Sequence, residues 1–134
     1  MGKILINVDW LPDNFAAAPA NESIACVVTA HDFEDLKLEL EDALRKHISW
    51  MQEDGDKIPA EFEGSWDLDF HLTTRAQLKY ADNFITRKAL ARETGINEQQ
   101  LSHYANGQRH PRPAMQRRIT DGLRAISRRL TLIL

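Results

Sequence analysis

A single glycine between two short helical patterns is the feature that most narrows what this chain can fold into. The patterns cover Thr86–Thr94 and Asn97–Ala105, with Thr86 and Asn97 as their expected N-caps, and Gly95 stands between them. Glycine favours the left-handed dihedrals that end a helix in a sharp turn. Ala91, four residues earlier, is small enough for the two helices to cross closely, and Ile96 can fill the space between them. This spacing predicts a helix-turn-helix.

Helical patterns also flank this pair, over the whole of residues 74–134. A short helix is predicted at Thr74–Ala81, and a long one begins at Pro113, because proline is favoured in the first turn of a helix. Apolar side chains three or four residues apart give the long helix one apolar face, formed by Met115, Ile119, Leu123, Ile126 and Leu130. Residues 74–134 are therefore predicted to form an all-α domain.

Strand patterns dominate residues 1–73 instead. Alternating or β-branched apolar runs predict strands at residues 3–10, 23–30 and 65–72, the second of them buried. Residues 15–20 are ambiguous, because Pro19 would suit only an edge strand.

One helix interrupts these strands. It is predicted to begin after Asp32, which can act as its N-cap, and to stop at Gly55. Its apolar face is formed by Leu36, Leu40, Ala43, Leu44, His47, Ile48 and Met51. The order β-β-β-α-β predicts an α+β domain over residues 1–73, joined by a short linker at Thr73-Thr74 to the all-α domain over residues 74–134.

The two halves carry opposite charge. Residues 1–73 contain 5 lysines and arginines against 16 aspartates and glutamates, a net charge of −11, whereas residues 74–134 contain 12 against 4, a net charge of +8. A basic surface favours phosphates through counterion release. An acidic surface favours basic proteins and repels nucleic acid. The segregation therefore predicts two parts with different partners.

The second helix of the predicted motif has the composition of a DNA-reading helix, whose first turns enter the major groove. A glutamine can bind N6 and N7 of adenine together. The outward positions near its start, which we predict to contact bases, are Glu98, Gln99, Gln100 and His103. Basic and polar residues on either side, which we predict to contact phosphates, are Arg87, Lys88, Asn106, Arg109, His110 and Arg112.

The apolar terminal segment, residues 128–134, raises the question of what covers it. An exposed apolar patch of this kind would promote aggregation. Helix-turn-helix proteins usually bind paired half-sites as dimers. We therefore predict a homodimer or higher homo-oligomer, with packing inside one domain as the alternative. The predicted dimerisation residues are Ile119, Leu123, Ile126 and Leu130.

Composition argues against several other classes of protein. The lone cysteine, Cys26, allows no internal disulfide, and its apolar flanks predict burial. No apolar run approaches the roughly 20 residues of a membrane span. Asp9 comes too early in the chain for a secretory signal. We expect a cytoplasmic protein with no membrane partner and no cofactor.

The carboxylates of the first half could in principle hold Mg²⁺ for phosphodiester cleavage. They are Asp9, Glu39, Glu41, Asp67 and Asp69, and no spacing among them marks a metal cage. The five histidines include no pair four residues apart, so a helical metal motif is also missing from the sequence. We therefore expect no metal site and no catalysis, and an active nuclease is the least favoured alternative.

The segment TRKALARETGINEQQLSHYANGQRHPRP resembles the XRE/Cro family, which includes the lambdoid phage repressors. The resemblance covers about residues 74–125 and is carried by Leu90-Ala91, Gly95-Ile96, Tyr104, Asn106-Gly107 and Arg109–Pro113. It implies a lambda-repressor-like fold. It also implies base-contacting positions at Glu98, Gln99 and His103, with Gln100 beside them, and phosphate contacts at Asn106 and Arg109.

Glu98 departs from the glutamine or serine that is usual in that family. A glutamate there can accept a hydrogen bond from N4 of cytosine, or it can make no contact with a base.

The first half resembles the HicB antitoxins. The segment FEDLKLELEDALRKHISWMQEDGDKIP contains a helix rich in Glu, Ala and Leu, the acidic glycine turn Glu53–Asp56, and Ile58-Pro59. The segment GINEQQLSHYANG is especially similar to the HicB variants with a C-terminal helix-turn-helix. The first strands lack the aromatic, glycine-rich hairpin common in that family.

This resemblance implies a degenerate ribonuclease-H-like fold without catalysis. It further implies a protein that neutralises a HicA-like toxin, a small basic ribonuclease with a double-stranded-RNA-binding-like fold, and represses its own operon by binding operator DNA. The alternative is a stand-alone XRE-type regulator whose acidic half senses a protein or a small ligand.

Overall fold

The computed structural model describes residues 2–134 and divides the chain into two compact units. The first unit ends at Thr73 and the second begins at Thr74. The first is a mixed sheet with one helix, and the second is made of helices, so the chain has an α+β architecture.

The first unit is a four-stranded sheet with the strand order β3-β2-β1-β4. β1 pairs antiparallel with β2 and parallel with β4, while β2 also pairs antiparallel with β3. A short 3₁₀ turn at Ala60–Phe62 precedes β4. The elements in chain order are β1 (Gly2–Leu11), β2 (Asn14–Pro19), β3 (Val28–Ala30), α1 (Phe33–Glu53) and β4 (Trp66–Leu72).

The core of the first unit lies between the sheet and α1. β1 alternates, with Ile4, Ile6 and Val8 buried and Lys3, Leu5 and Asn7 exposed, because successive side chains of a strand point to opposite faces. The helix contributes buried side chains at every fourth position, as the sequence predicts: Leu36, Leu40, Leu44 and Ile48. The opposite face of the sheet carries Lys3, Asn7, Asp67, Asp69 and His71, all exposed.

The structure corrects the prediction of a buried strand over residues 23–30. Only Val28–Ala30 is a strand, and it lies at the edge of the sheet, with Val27 71% exposed. The side chain of Asn21 accepts hydrogen bonds from both the N–H and the hydroxyl of Ser23, which forms a turn where a strand was expected. Ile24 alone turns inward, to 2% exposure.

Three smaller expectations concern the same region. The ambiguous residues 15–20 form β2, and Pro19 lies opposite Ile6, beyond the residues that pair with β3. Its missing N–H therefore interrupts no ladder with β3.

Asp32 occupies the N-cap position of α1, but its carboxylate accepts no capping hydrogen bond. Cys26 is half-buried, and burial raises the pKa of its thiol.

The second unit consists of four helices in the predicted positions around one apolar core. They are α2 (Thr74–Ala81), α3 (Arg87–Thr94), α4 (Glu98–Ala105) and α5 (Pro113–Thr131). The buried core residues are Leu78, Leu90, Ile96, Leu101, Tyr104, Ala105 and Ile119. Pro113 occupies the first turn of α5, as its fixed dihedral favours.

Candidate nucleic-acid interface

Local hydrogen bonds fix the turn between α3 and α4. Gly95 has a φ of +73°, and its N–H donates to the carbonyl of Ala91 at 2.8 Å. The hydroxyl of Thr86 caps α3 by accepting from the N–H of Ala89 at 3.0 Å. The side chain of Asn97 caps α4 by accepting from the N–H of Gln100 at 2.7 Å. The glycine and both caps were predicted, and together they set where α4 begins.

Packing then fixes how α3, α4 and α5 lie together. Ile96, 4% exposed, belongs to the same buried core as Leu90 and Leu101, so it fills the space between α3 and α4 as predicted. Gly122 of α5 lies so close to α3 that a Cβ atom there would come within 2.5 Å of Thr94 Cγ2. This close approach was missed from the sequence, although an isolated glycine inside a helical pattern was the available signal.

A second missed residue, Arg118, caps the end of α3. Its Nε donates to the carbonyl of Thr94 at 2.8 Å. The last carbonyl groups of a helix have no partner within the helix, so a cation that donates to one of them stabilises the helix end. Arg118 lies 24 residues further along the chain, and nothing local in the sequence marks this contact.

The residues predicted to contact bases lie on the first turns of α4. Glu98 and Gln99 are exposed, whereas Gln100 and His103 are half-buried. Gln100 Nε2 donates to Tyr104 Oη at 2.7 Å, so this amide lies along the helix. Glu98 and Gln99 are therefore the side chains most open to a partner at the start of α4. Their contacts with bases stay a prediction.

The structure gives Arg87 a role inside the unit. Its guanidinium binds the carboxylate of Asp82 through two hydrogen bonds of 2.8 and 2.7 Å, and Nη1 donates to Ser102 Oγ at 3.1 Å. The side chain is only 22% exposed. Arg87 therefore ties the loop after α2 and the start of α3 to α4. Three of the five N–H donors of its guanidinium thus have partners inside the unit, which argues against the predicted phosphate contact.

Lys88, the next residue, is exposed, so it is the cation that the start of α3 presents to solvent. Its predicted phosphate contact stays a prediction.

The loop after α4 presents the remaining predicted phosphate contacts. It folds back on the helix, since the N–H groups of Gln108 and Arg109 both donate to the carbonyl of His103, at 3.0 and 3.3 Å. Gly107, with a φ of +75°, allows this reversal. The four residues predicted to contact phosphate are all exposed: Asn106, Arg109, His110 and Arg112.

The predicted dimerisation residues do not all reach the surface. Ile119 has no exposed surface and lies in the core of its own unit, so the prediction that it contacts a partner is wrong. Leu123 and Ile126 are half-buried against that core. Leu130 is 52% exposed, and the three residues after Thr131 are exposed almost completely. A dimer contact through Leu123, Ile126 and Leu130 stays a prediction.

Comparison with known proteins identifies the motif. A sequence model of the helix-turn-helix family matches residues 85–128, which include α3, α4 and most of α5. These residues form an XRE-type helix-turn-helix, and the chain has the DNA-binding domain of a transcription regulator. No curated protein matches the chain.

Two of the candidate carboxylates of the first unit have partners nearby. Asp9 Oδ1 accepts hydrogen bonds from the Thr73 hydroxyl and from the N–H of Trp10, both at 2.7 Å. Asp69 lies on the open face of β4, where its Oδ2 is 3.1 Å from His71 Nε2. Within residues 2–134, no three His, Cys, Asp or Glu side chains converge on a point that could hold a metal ion. None of the helices in that range is long and apolar enough to cross a membrane.

Proposed function

We propose that this chain is the antitoxin of a HicAB-type toxin–antitoxin system. Its acidic first unit neutralises a HicA-like, mRNA-cleaving toxin, and its helix-turn-helix represses the operon that encodes both proteins. The proposal joins one partner class to each unit. The first partner is a small basic protein, and the second is double-stranded operator DNA.

The observation that carries the proposal is the position of the charge change. The net charge switches from −11 over residues 1–73 to +8 over residues 74–134, and the two compact units divide at the same position. If the sign of the charge changed within one folded unit, the change would only distinguish two faces of the same surface. A split between two units supports two binding partners of opposite charge.

The fold of the first unit supports the HicB part of the proposal. Three antiparallel strands lead into α1, which returns the chain to pair β4 in parallel beside β1. This β-β-β-α-β order is the one implied by the resemblance to HicB and its degenerate ribonuclease-H-like fold.

The charges of the second unit support its role on DNA. Three of its four acids form ion pairs inside the unit: Asp82 with Arg87 at 2.7 Å, Glu93 with Arg129 at 3.0 Å, and Asp121 with Arg124 at 3.7 Å. Lys88, Arg109 and Arg112 are exposed, so the cationic surface lies beside the start and the end of α4. Such a distribution supports clamping of the DNA backbone on both sides of the reading helix.

Dimerisation belongs to the same proposal. The exposed apolar end of α5 fits a contact with a second copy, and two copies would read two half-sites. Analytical ultracentrifugation of a chain truncated after Arg128, compared with the full chain, tests this part. A loss of dimer on truncation is expected, and an unchanged dimer would exclude the terminal segment from the contact.

The direct test of the antitoxin activity is co-expression. Induction of the HicA-like protein from the same organism is expected to arrest growth, and co-expression of the full-length chain is expected to restore it. The double variant Gln99→Ala/Arg109→Ala, which changes only the DNA-reading unit, is expected to restore growth equally well. Continued arrest in the presence of the soluble full-length chain would exclude the antitoxin function.

One observation favours the alternative, a stand-alone regulator whose first unit senses a small ligand. A cavity of about 490 Å³ lies over the open face of the sheet and is lined by Asn7, Asp9, Ala16, Val27 and His71, among others. Its size is in the range of small-molecule sites. Operator binding that is unaffected by any HicA-like protein, but changes on addition of a metabolite extract, would support this alternative.

A further inference from the structure

The two edges of the sheet in the first unit are unequal. At one edge, β3 is only three residues long. At the other, β4 is seven residues long and pairs with β1 alone. A short edge strand is one of the ways in which proteins prevent unwanted strand pairing, whereas a long free edge is a template for another strand. The asymmetry makes the β4 edge the place where an additional strand could bind.

The register of β4 identifies the backbone groups at that edge. Gly2 N–H donates to the carbonyl of Ser65, and Thr73 N–H donates to the carbonyl of Val8, so the odd-numbered residues of this segment bond to β1. The even-numbered residues therefore point their N–H and C=O groups away from β1. Within residues 2–134, these groups of Leu68 and Phe70 have no hydrogen-bonding partner.

β4 lacks three of the usual protections of an edge strand, which are proline, lysine and a bulge. Its sequence, WDLDFHL, contains no proline and no lysine, and its pairing with β1 continues without a bulge over all seven residues. Its exposed charged side chains are both acidic, Asp67 and Asp69. On the open face the strand therefore repels acidic segments and attracts basic ones, although two lysines, Lys3 and Lys37, also line the groove beside the edge.

A groove runs beside this edge. It has a volume of about 410 Å³, and α1 forms one wall with Lys37, Leu38 and Glu41 while Leu68 and Phe70 belong to β4. Lys37 Nζ lies 5.5 Å from the centroid of the Phe70 ring. Alternate side chains of an added strand would enter this groove, and the others would lie beside Asp67 and Asp69 on the open face.

Charge distinguishes between the possible occupants. In symmetric antiparallel pairing with a second copy, a two-fold axis at Asp69 places that residue opposite itself, and an axis at Leu68 places Asp67 opposite Asp69. An axis at Phe70 places Asp69 opposite His71, so of these three registers only this one avoids opposed like charges. Directly opposed like charges destabilise a strand pair. Two copies of the first unit would also bring together two net charges of −11. A basic extended segment from another protein meets neither cost.

We infer that the free edge of β4 is the docking line for the basic protein partner, which adds an extended, lysine- or arginine-bearing strand to the sheet. This inference rests on the proposed function, because it names the surface by which the antitoxin holds its toxin. Backbone hydrogen bonds to Leu68 and Phe70 supply the pairing, and Asp67 and Asp69 select a basic sequence.

Amide hydrogen exchange, followed by NMR at single-residue resolution, tests the inference. The full-length chain is measured alone and with a catalytically inactive variant of the HicA-like toxin. The amides of Leu68 and Phe70 are expected to exchange rapidly in the free chain and at least about tenfold more slowly in the complex, since pairing buries them in a new ladder.

Charge reversal supplies a matched comparison. Asp67→Lys/Asp69→Lys and Asp54→Lys/Asp56→Lys change the net charge equally, but the second pair lies in and after the turn that ends α1. Both weaken the long-range attraction to a basic toxin. The β4 pair is expected to raise the dissociation constant at least about tenfold more than the control pair, through lost local contacts.

The outcomes separate the inference from the proposed function. A toxin that binds tightly while Leu68 and Phe70 stay unprotected, or that is weakened equally by both charge reversals, overturns the docking line and leaves the antitoxin function standing. A chain that binds no toxin overturns both. Protection of the two amides that grows with concentration of the chain alone would mean that a second copy occupies the edge, and it too overturns the inference.

Discussion

The two units use their charged side chains in opposite ways. In the second, guanidinium groups join separate elements: Arg87 connects the loop after α2 to α4, and Arg118 caps α3. In the first, the ion pairs along α1 lie on its surface, with all four side chains of the Arg45–Glu41 and Lys46–Asp42 pairs at least 46% exposed. The second unit thus uses charge to hold a rigid reading helix in place, while the first keeps charge available for attraction.

This difference predicts that apolar packing alone determines the stability of the first unit. Leu40 and Leu101 are both fully buried, one in each unit. Replacing either by Ala is expected to cost about 2–5 kcal/mol of unfolding free energy, because the loss of a buried side chain leaves a cavity. All three tryptophans, Trp10, Trp50 and Trp66, lie in the first unit, so urea unfolding followed by tryptophan fluorescence reports on that unit.

Leu40→Ala is expected to shift the fluorescence transition strongly, and Leu101→Ala is its matched control. Circular dichroism at a helical wavelength would follow the loss of α2–α5 in the control. Equal shifts of the tryptophan transition in both variants would contradict the separation into two independently stabilised units.

The reading helix offers the next largest effect. Gln99→Ala is expected to reduce discrimination between the cognate operator and a mutated one by about 1–3 kcal/mol, the range for loss of one bidentate base contact. Arg109→Ala is expected to weaken all sequences alike and to lower the slope of log K against log salt by about 1. Fluorescence anisotropy over a salt series measures both quantities. If the two variants behave alike, base reading and backbone clamping have been wrongly assigned.

Arg87 and its neighbour Lys88 test the difference between a structural cation and a DNA-binding one. Arg87→Lys keeps the charge but cannot make the two-pronged bond to Asp82 and also reach Ser102, so we expect a loss of about 1–2 kcal/mol in stability. Its salt slope on DNA should match that of the unchanged chain. Lys88→Ala is the neighbouring control, which should lower the salt slope by about 1 and leave stability within about 0.5 kcal/mol. If Arg87→Lys instead lowers the salt slope and leaves stability unchanged, Arg87 contacts phosphate.

How far sequence alone predicts the molecule follows from the same contrast. The helix-turn-helix could be predicted closely because its determinants are local: Thr86 and Asn97 cap helices three residues away, and Gly95 ends one. The partners of Arg87 and Arg118 could not, since Ser102 and Thr94 lie 15 and 24 residues distant. From sequence alone, a cation beside a predicted DNA-reading helix is interpreted as a phosphate contact. Only the structure shows whether its side chain has partners inside the protein.

In the first unit, the alternation of β1 and the four-residue spacing of α1 identified core positions, whereas the apolar side chains of β4 are only half-buried. The segment over residues 23–30 failed because its β-branched composition indicates strand, while the Asn21 turn that opposes it depends on two side-chain hydrogen bonds to Ser23. The pairing of β4 with β1, which decides which side of β4 stays free, could not be predicted either, because strand order is a property of the whole sheet.

The smallest predicted effect compares the two helix caps directly. Thr86 accepts a hydrogen bond from the N–H of Ala89, whereas Asp32 holds the same position on α1 without one. Thr86→Ala should therefore cost about 1 kcal/mol, and Asp32→Ala only a few tenths, from its charge near the helix dipole. Urea unfolding measures both, by circular dichroism for Thr86 and by tryptophan fluorescence for Asp32. A cost near 1 kcal/mol for Asp32→Ala would mean that its carboxylate caps α1 in solution, and the two units would then begin their helices in the same way.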